Sequence, residues 1–365
     1  MLAVLGHYMS DAAIGKVSVP LLGTVLAVQA NYYQVRLEPS PLVPDSLPLL
    51  LCTRRARLKK LGQQVMVGDR VEIDEPDWTG GRGAISGVLP RQSQLDRPPI
   101  ANVEQIILVF ALEEPPLDPY QLSRFLVKAE STGLDVRLCL NKSDLLTIEQ
   151  QQQWRDRLQS WGYQPVLISV QEKSSISEVQ DLLGVRISVV AGPSGVGKSS
   201  LINALMPTIN LRTSEVSGKL SRGRHTTRHV ELFTLPDGSL LADTPGFNQP
   251  DLSCHPNELA DYFPEARQRL SQQICQFSDC LHRDEPNCAV RGDWERYEHY
   301  LAFLQEAIAR QEHINQQADP ESSLKLKTKR GKKQYEPKLE TKYRQRSRRT
   351  QHQALQELYQ EVDES

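Results

Sequence analysis

The sequence predicts a multidomain α/β protein with a β-barrel at its front, and three observations carry that expectation. Residues 16–97 read as short strands with turns between them, and residues 98–251 as apolar strands alternating with helices. Beyond residue 251 the chain reads as helices around a crowd of cysteines. Five short strands in about eighty residues suit a small closed barrel, here of the oligonucleotide-binding (OB) kind. Near-continuous apolar strands between helices indicate a parallel sheet covered on both faces.

Taken in order, residues 1–15 carry no pattern and are expected to be a flexible leader. The barrel strands are predicted at Leu22–Val28, Tyr32–Leu37, Leu49–Leu58, Arg70–Ile73 and Gly83–Leu89. Val67-Gly68-Asp69 and Thr79-Gly80-Gly81 supply turn chemistry between them. In residues 98–251 the strands fall at Ile106–Phe110, Val136–Leu140, Val166–Ile168 and Ile187–Val190. Helices follow at Tyr120–Glu130, Ile148–Trp161, Ile176–Leu183 and Lys198–Met206. A pair at Val230–Leu235 and Leu240–Ala242 brackets the turn Pro236-Asp237-Gly238. Residues 252–316 form the helical module, where Trp294, Tyr297, Leu301, Leu304 and Ile308 make one stripe of a long helix. Residues 317–365 are expected to be a basic, disordered tail with a short terminal helix.

The bulk numbers narrow the classes of function. The chain has 365 residues, 39% hydrophobic and 24% charged, as in an ordinary globular protein. No apolar run approaches the roughly 20 residues needed to span a bilayer. The first ten residues lack a basic flank and apolar core, so a cytoplasmic protein without a membrane partner is expected. The net charge of −2 hides an asymmetry: residues 322–350 hold twelve Lys or Arg against Glu336 and Glu340, leaving −12 elsewhere. Such a tail suits a polyanion.

Four motifs carry the chemistry. Gly192-Pro193-Ser194-Gly195-Val196-Gly197-Lys198-Ser199, with Ser200 following, is a complete G-x-x-x-x-G-K-[ST] between a strand and a helix. Its backbone N–H groups cradle phosphates, Lys198 reaches the β- and γ-phosphates, and the Ser199 hydroxyl ligates Mg²⁺. Asp243-Thr244-Pro245-Gly246 follows a strand fifty residues later. There Asp243 holds Mg²⁺ through water, and the Gly246 N–H senses the γ-phosphate.

Asn141-Lys142-Ser143-Asp144 ends another strand. A carboxylate accepts the N1–H and N2–H of guanine, which adenine does not offer. Asp144 therefore selects the base, Asn141 braces the loop and the Lys142 stem lies along the base. Ile168-Ser169-Val170 fits the second base-contacting loop. The base-reading motif precedes the P-loop, so the domain reads as a circularly permuted GTPase. The γ-phosphate-sensing loop then leads straight into the C-terminal module, a connection through which nucleotide state would swing that module.

Ser221–Arg228 sits where the first switch loop belongs, with Thr226 or Thr227 completing the Mg²⁺ shell and His225 a candidate for positioning water. Phe247 stands where many GTPases carry a water-orienting Gln, so slow turnover and activation by a partner are expected. Fourth, Cys275-x₄-Cys280-x-His282-x₅-Cys288 offers three thiolates and an imidazole, a donor set for one structural Zn²⁺. Cys254 with His255 is a rival ligand source. Arg54, Arg55, Arg57, Lys59 and Lys60 in the barrel are candidates for RNA phosphates, with a solvated strand face the equal alternative.

These motifs together resemble the RsgA (YjeQ/YloQ) family of circularly permuted GTPases over roughly residues 16–315. The resemblance rests on Asn141–Asp144 before Gly192–Ser199, on Gly223-Arg224-His225-Thr226-Thr227, on Asp243–Phe247 and on the cysteine cluster with Glu285-Pro286 inside it. It implies an OB-fold barrel, a permuted GTPase core and a C-terminal module holding one Zn²⁺. It also implies docking on the immature small (30S) ribosomal subunit and its 16S rRNA, GTP hydrolysis on activation there, and departure with GDP. His225 is implicated in hydrolysis by the same resemblance, and a monomer is expected. A switch with a protein or membrane partner, an RNA-binding assembly factor with incidental hydrolysis, and an ATPase are the rival readings.

Overall fold

The computed structural model describes residues 20–41, 43–44, 48–96, 98–206, 230–243, 250–316, 324–329 and 332–337. Five strands come first: β1 (Leu21–Gln29), β2 (Tyr32–Leu37), β3 (Leu49–Arg54), β4 (Arg70–Asp77) and β5 (Arg82–Val88), with helix α1 (Ala56–Lys60) after β3. They close into a barrel in the order β1-β2-β3-β5-β4, β4 returning to β1. The β3–β5 pair is parallel and the others antiparallel, the five-stranded Greek key of the OB fold. Alternation makes this possible: Leu50 and Cys52 point inward with Val35, Val71, Ile73 and Ile85, while Leu49, Leu51 and Tyr32 stay exposed.

One barrel element differs from its sequence reading. The strand expected over Leu49–Leu58 stops at Arg54, and Ala56–Lys60 turns into α1, whose one buried side chain is Leu58. A single apolar residue among Arg, Lys and Ala favours a helical turn that buries it once over a strand that buries every second residue.

A short hairpin, β6 (Gln94–Asp96) with β7 (Pro99–Ala101), leads into the nucleotide-binding domain. There β8 (Gln105–Ala111), α2 (Pro119–Glu130), β9 (Asp135–Asn141), α3 (Ile148–Ser160), β10 (Val166–Leu167), α4 (Lys173–Leu183), β11 (Ile187–Ala191) and α5 (Lys198–Leu205) alternate. β12 (Leu232–Thr234) and β13 (Leu240–Asp243) complete a sheet of order β10-β9-β8-β11-β13-β12. All pairs are parallel except β12–β13. The seven residues of β8 are all buried because helices cover both faces of the sheet. Moving β8–β10 behind β13 would restore one unbroken P-loop-first order, which is the structural meaning of the permutation.

The barrel is joined to this sheet through its β12 edge. Leu26, Val67, Ile100 and Val103 share a core with Val189, Leu232, Leu240 and Ala242. Arg36 Nη1 donates to the Gly238 carbonyl at 3.0 Å, and Ala27 bridges Glu231.

After residue 250 come a 3₁₀ segment (Pro256–Tyr262), α6 (Pro264–Gln272), the loop carrying Cys275, Cys280, His282 and Cys288, and α7 (Tyr297–Gln316). The buried stripe of α7 is Tyr300, Phe303, Leu304 and Ala307, one residue off the predicted set on part of the helix. Trp294 precedes the helix, so it could not set the phase. The described residues up to Ala307 form one compact unit; Ile308–Ser365 form a second. In that second unit β14 (Leu324–Lys329) pairs antiparallel with β15 (Lys332–Pro337). This hairpin lies within the segment expected to be a basic, disordered tail with a short terminal helix. Leu324-Lys325-Leu326-Lys327 alternates with period two, and Arg330-Gly331 is a two-residue hairpin loop sequence. The expected terminal helix lies outside the described residues. Among the described residues no helix is long and apolar enough to cross a membrane.

Candidate functional site: a P-loop, two base-reading loops and a cysteine–histidine cluster

The P-loop joins β11 to α5 at the middle of the sheet. Gly192 has φ +144°, and a Cβ there would stand 2.1 Å from the carbonyl oxygen of Val109 on β8. Gly197, at φ +93°, would place one 2.3 Å from Asn141 Nδ2. Glycine is required at both because neighbouring strands and loops press against the turn. Pro193 and Val196 are buried beneath the loop, while Ser194 and Gly195 are exposed. Lys198 Nζ donates to the Gly192 and Pro193 carbonyls at 2.9 and 2.5 Å. Its ammonium is thus drawn back onto carbonyls of its own loop. Lys198, Ser199 and Ser200 make up the first turn of α5.

Asn141 ties three loops into one site. Its Oδ1 accepts from the N–H of Lys142 at 2.8 Å and of Val170 at 3.3 Å. Its Nδ2 donates to the Val196 carbonyl at 2.9 Å. The Lys142 ammonium donates to the Glu114 carbonyl, and Lys142 itself is left-handed at φ 60°. The second loop is pinned by the Ile168 N–H to Leu140 at 2.8 Å and the Ser143 N–H to Ile168 at 3.0 Å. Ser169 Oγ is buried with no hydrogen-bond partner among the described residues. Asp144 is exposed in the short 3₁₀ turn after Lys142. Replacing Asn141 by Ala would strand the Val196 carbonyl and two N–H groups. Nucleotide affinity is expected to fall about tenfold or more, measured by fluorescent-nucleotide titration.

Asp243 ends β13 beside Val190 of β11, the strand that leads into the P-loop, and Ser199 lies in the first turn of α5 on the far side of that loop. These are oxygen donors of the type Mg²⁺ takes. His225, Thr226, Thr227, Gly246 and Phe247 lie outside the described residues.

The four predicted metal ligands do converge. The donor atoms of Cys275, Cys280, His282 and Cys288 all lie within 4.8 Å of one another. Cys275 Sγ is 4.0 Å from Cys288 Sγ, and His282 Nδ1 is 3.5 and 3.3 Å from these two sulfurs. A tetrahedron with zinc–sulfur bonds of about 2.3 Å has edges of roughly 3.7 Å, so the donors fit the ion. His282 and Asn287 have φ of 57° and 51°, which folds the loop back on itself twice. The N–H groups of Ala289 and Arg291 point at Cys275 and Cys288 sulfurs. Burial lowers the His282 pKa, favouring the neutral ring a metal needs. Cys254 and His255 are not part of the cluster. Cys52 and Cys139 are core thiols that burial pushes up to about 12.

The sequence reading names Glu285 only within the resemblance and gives it no role, yet it shapes this loop. The Glu285 carboxylate accepts from the N–H groups of Leu281, Arg283 and Asp284 at 2.9, 2.9 and 3.1 Å. Burial opposes its ionisation, but these bonds win and hold its pKa at about 2. The Tyr297 and Tyr300 hydroxyls donate to the His282 and Leu281 carbonyls at 2.9 and 2.8 Å.

Of the five basic barrel residues, Arg57, Lys59 and Lys60 are exposed on α1. Arg55 is paired with Glu75 at 3.0 Å, and Arg54 donates to the Gln63 carbonyl at 2.6 Å. These two brace the barrel, so only three of the five cations stand out toward a polyanion.

The family model for the RsgA GTPase matches residues 88–253. A protein of Trichormus variabilis named small ribosomal subunit biogenesis GTPase RsgA is 68% identical over 94% of this chain and 98% of its own. YjeQ from Thermotoga maritima, a solved structure, has a TM-score of 0.67 at 33% identity over 80% of this chain and all of its own. YloQ, solved as a circularly permuted GTPase, gives 0.67 at 30% identity over 81% of this chain and 98% of its own. A match at that identity along nearly the whole of a relative settles the matter: the chain belongs to the RsgA family of GTPases.

Proposed function

We propose that this chain is a GTPase of small-subunit assembly. It binds GTP with Mg²⁺, docks on the immature small ribosomal subunit and its rRNA, hydrolyses GTP when the subunit activates it, and leaves with GDP. The observation that carries the GTPase half is Asn141, which hydrogen-bonds both base-reading loops and the P-loop. One side chain thereby registers a guanine site against a phosphate site. The ribosomal half is supported by the name of the 68% identical relative. The exposed Arg57, Lys59 and Lys60 on the barrel suit an RNA backbone. We assign the cytoplasm, where ribosomes assemble, and a monomer.

The roles follow from chemistry. Gly192–Gly197 present backbone N–H groups to the phosphates, and Lys198 neutralises charge that grows between the β- and γ-phosphates. Ser199, Asp243 and one of Thr226 or Thr227 are the residues that would hold Mg²⁺, which screens the phosphate oxygens when bound. Gly246 reads the γ-phosphate, and His225 positions the attacking water in place of the absent Gln. Ser169 and Val170 line the base with Lys142, and Asp144 accepts its two N–H groups. Cys275, Cys280, His282 and Cys288 are the set that would hold one structural Zn²⁺.

An Asp144→Asn protein tests the base assignment. An amide offers a donor where guanine presents one, so GTP affinity should fall about a hundredfold while xanthosine triphosphate gains. The assembly reading is tested by GTP hydrolysis with small subunits, with large subunits and free RNA as controls. Stimulation by small subunits that disappears in His225→Ala, with GTP binding kept, is the expected result. Equal rates with and without subunits would overturn it.

A further inference from the structure

The connectivity of the chain attaches the cysteine–histidine module to the γ-phosphate side of the site. Its packing attaches it to the other side. Arg296, just ahead of α7, is fully buried. Its guanidinium pairs with both carboxylate oxygens of Glu265 on α6, with Nε at 2.7 Å from Oε1. Its Cζ lies 4.8 Å from the ring centres of Trp161 and Phe263 and 5.6 Å from that of Tyr163. Nη1 has no hydrogen-bond acceptor among the described residues, so the ring faces compensate that part of the cation. Trp161 and Tyr163 belong to the nucleotide-binding domain, at the end of α3 and before β10.

The surroundings reinforce this grip. Trp161 Nε1 donates to Glu295 at 2.7 Å, and Arg157 of α3 pairs with the same carboxylate at 2.5 Å. Tyr163 donates to Glu130 of α2, which also takes Arg267 of α6 at 2.8 Å. Gly162 packs so closely on Pro264 that a Cβ would stand 2.7 Å from it. Along α2, Arg124 makes a two-fold pair with Glu306, and Ser123 Oγ lies 2.8 Å from His299 Nδ1.

The gripped segment is the one that spans the two base-reading loops. Asn141–Asp144 enters it through Gln151, whose Nε2 donates to the Ser143 carbonyl at 2.9 Å. Ser169–Val170 leaves it directly after β10. β10 is an edge strand of two residues, paired among the described residues with β9 alone. So short a ladder, even with the bonds of Ile168 to Leu140 and of Val170 to Asn141, leaves part of its positioning to packing on its outer side.

We propose that the module is a clamp on the guanine-reading half of the site, with Arg296 as a positioning residue that acts through Trp161, Tyr163 and β10 on the Ser169–Val170 loop. This rests on the reading of those two loops as the guanine contacts. The γ-phosphate takes no part, so the clamp serves GDP and GTP alike.

The test is nucleotide affinity in the full chain carrying Arg296→Lys, which keeps the charge but not the planar fork or the stacking. GDP and GTP affinities are expected to fall by the same factor, about five- to tenfold, with KM raised and kcat unchanged. Arg157→Ala, at the exposed margin of the same contact, should give a smaller loss of the same kind. It provides the reading if Arg296→Lys does not fold. Zinc content and melting temperature are measured on each. Unchanged GDP affinity, or a loss confined to GTP, would overturn the clamp. Failure of guanosine over adenosine nucleotides to bind the unmodified protein would instead overturn the base-loop reading beneath it.

Discussion

Lys198→Ala should abolish most GTP hydrolysis, lowering the single-turnover rate by about 10²- to 10³-fold, the scale for one electrostatic stabiliser at a charged transition state. The structure gives the reason. Lys198 opens α5 directly behind a turn that Gly192 and Gly197 force against β8 and Asn141, and its ammonium already lies at the Gly192 and Pro193 carbonyls. On the proposed reading its charge moves from those carbonyls to the β- and γ-phosphates, where negative charge develops as the β–γ bond breaks. Binding should suffer less than turnover, because the ground-state phosphates keep the backbone N–H groups of residues 192–197. Fluorescent-nucleotide titration beside single-turnover hydrolysis separates the two effects. A variant that hydrolyses GTP at the unaltered rate would remove Lys198 from the mechanism.

Loss of one metal ligand is expected to have the largest effect on stability. Structural zinc contributes about 10–16 kcal/mol to folding in small zinc modules. Cys288→Ala removes one of the three thiolates among the four donors, together with the acceptor for the Arg291 N–H. The loop from Cys275 to Cys288 has few apolar side chains in the core; Val290 follows it, and Tyr297 and Tyr300 reach it through hydroxyls. Among the described residues the other supports are hydrogen bonds, chiefly those of the Glu285 carboxylate. Metal analysis should fall from one zinc per chain toward none, and hydrogen exchange across residues 280–291 should lose its protection. A chelator should reproduce both changes in the unmodified protein. Full metal content and unaltered exchange would refute the ligand assignment.

Motifs with fixed spacing were legible because their chemistry is local. Gly192–Ser199 needs a strand before it and a helix after it, and the apolar run Ile187–Ala191 and the segment Lys198–Leu205 supply both. Cys275, Cys280, His282 and Cys288 lie within fourteen residues, so only two tight turns are needed to bring them together. Arg54 and Arg55 were not separable from Arg57, Lys59 and Lys60, because the strand-to-helix change at Ala56 decides which cations meet Gln63 and Glu75. The phase of α7 was similarly blurred by Trp294, an aromatic that packs on Phe263 from outside the helix.

The sequence by itself determined the order of the motifs, hence the permutation, the barrel ahead of it and the donor set for zinc. Each of these is a property of neighbours along the chain: period, turn residue or ligand type. Only the tertiary structure decided what lies against what. Asn141 meets Val196 across fifty-five positions, and Arg296 enters an aromatic cage built from Trp161, Tyr163 and Phe263. An arginine with a glutamate and three rings carries no periodic signal, since its partners are brought to it by packing and not by spacing. That is why the chain's connectivity points the module toward the γ-phosphate while its buried contacts hold it to the base.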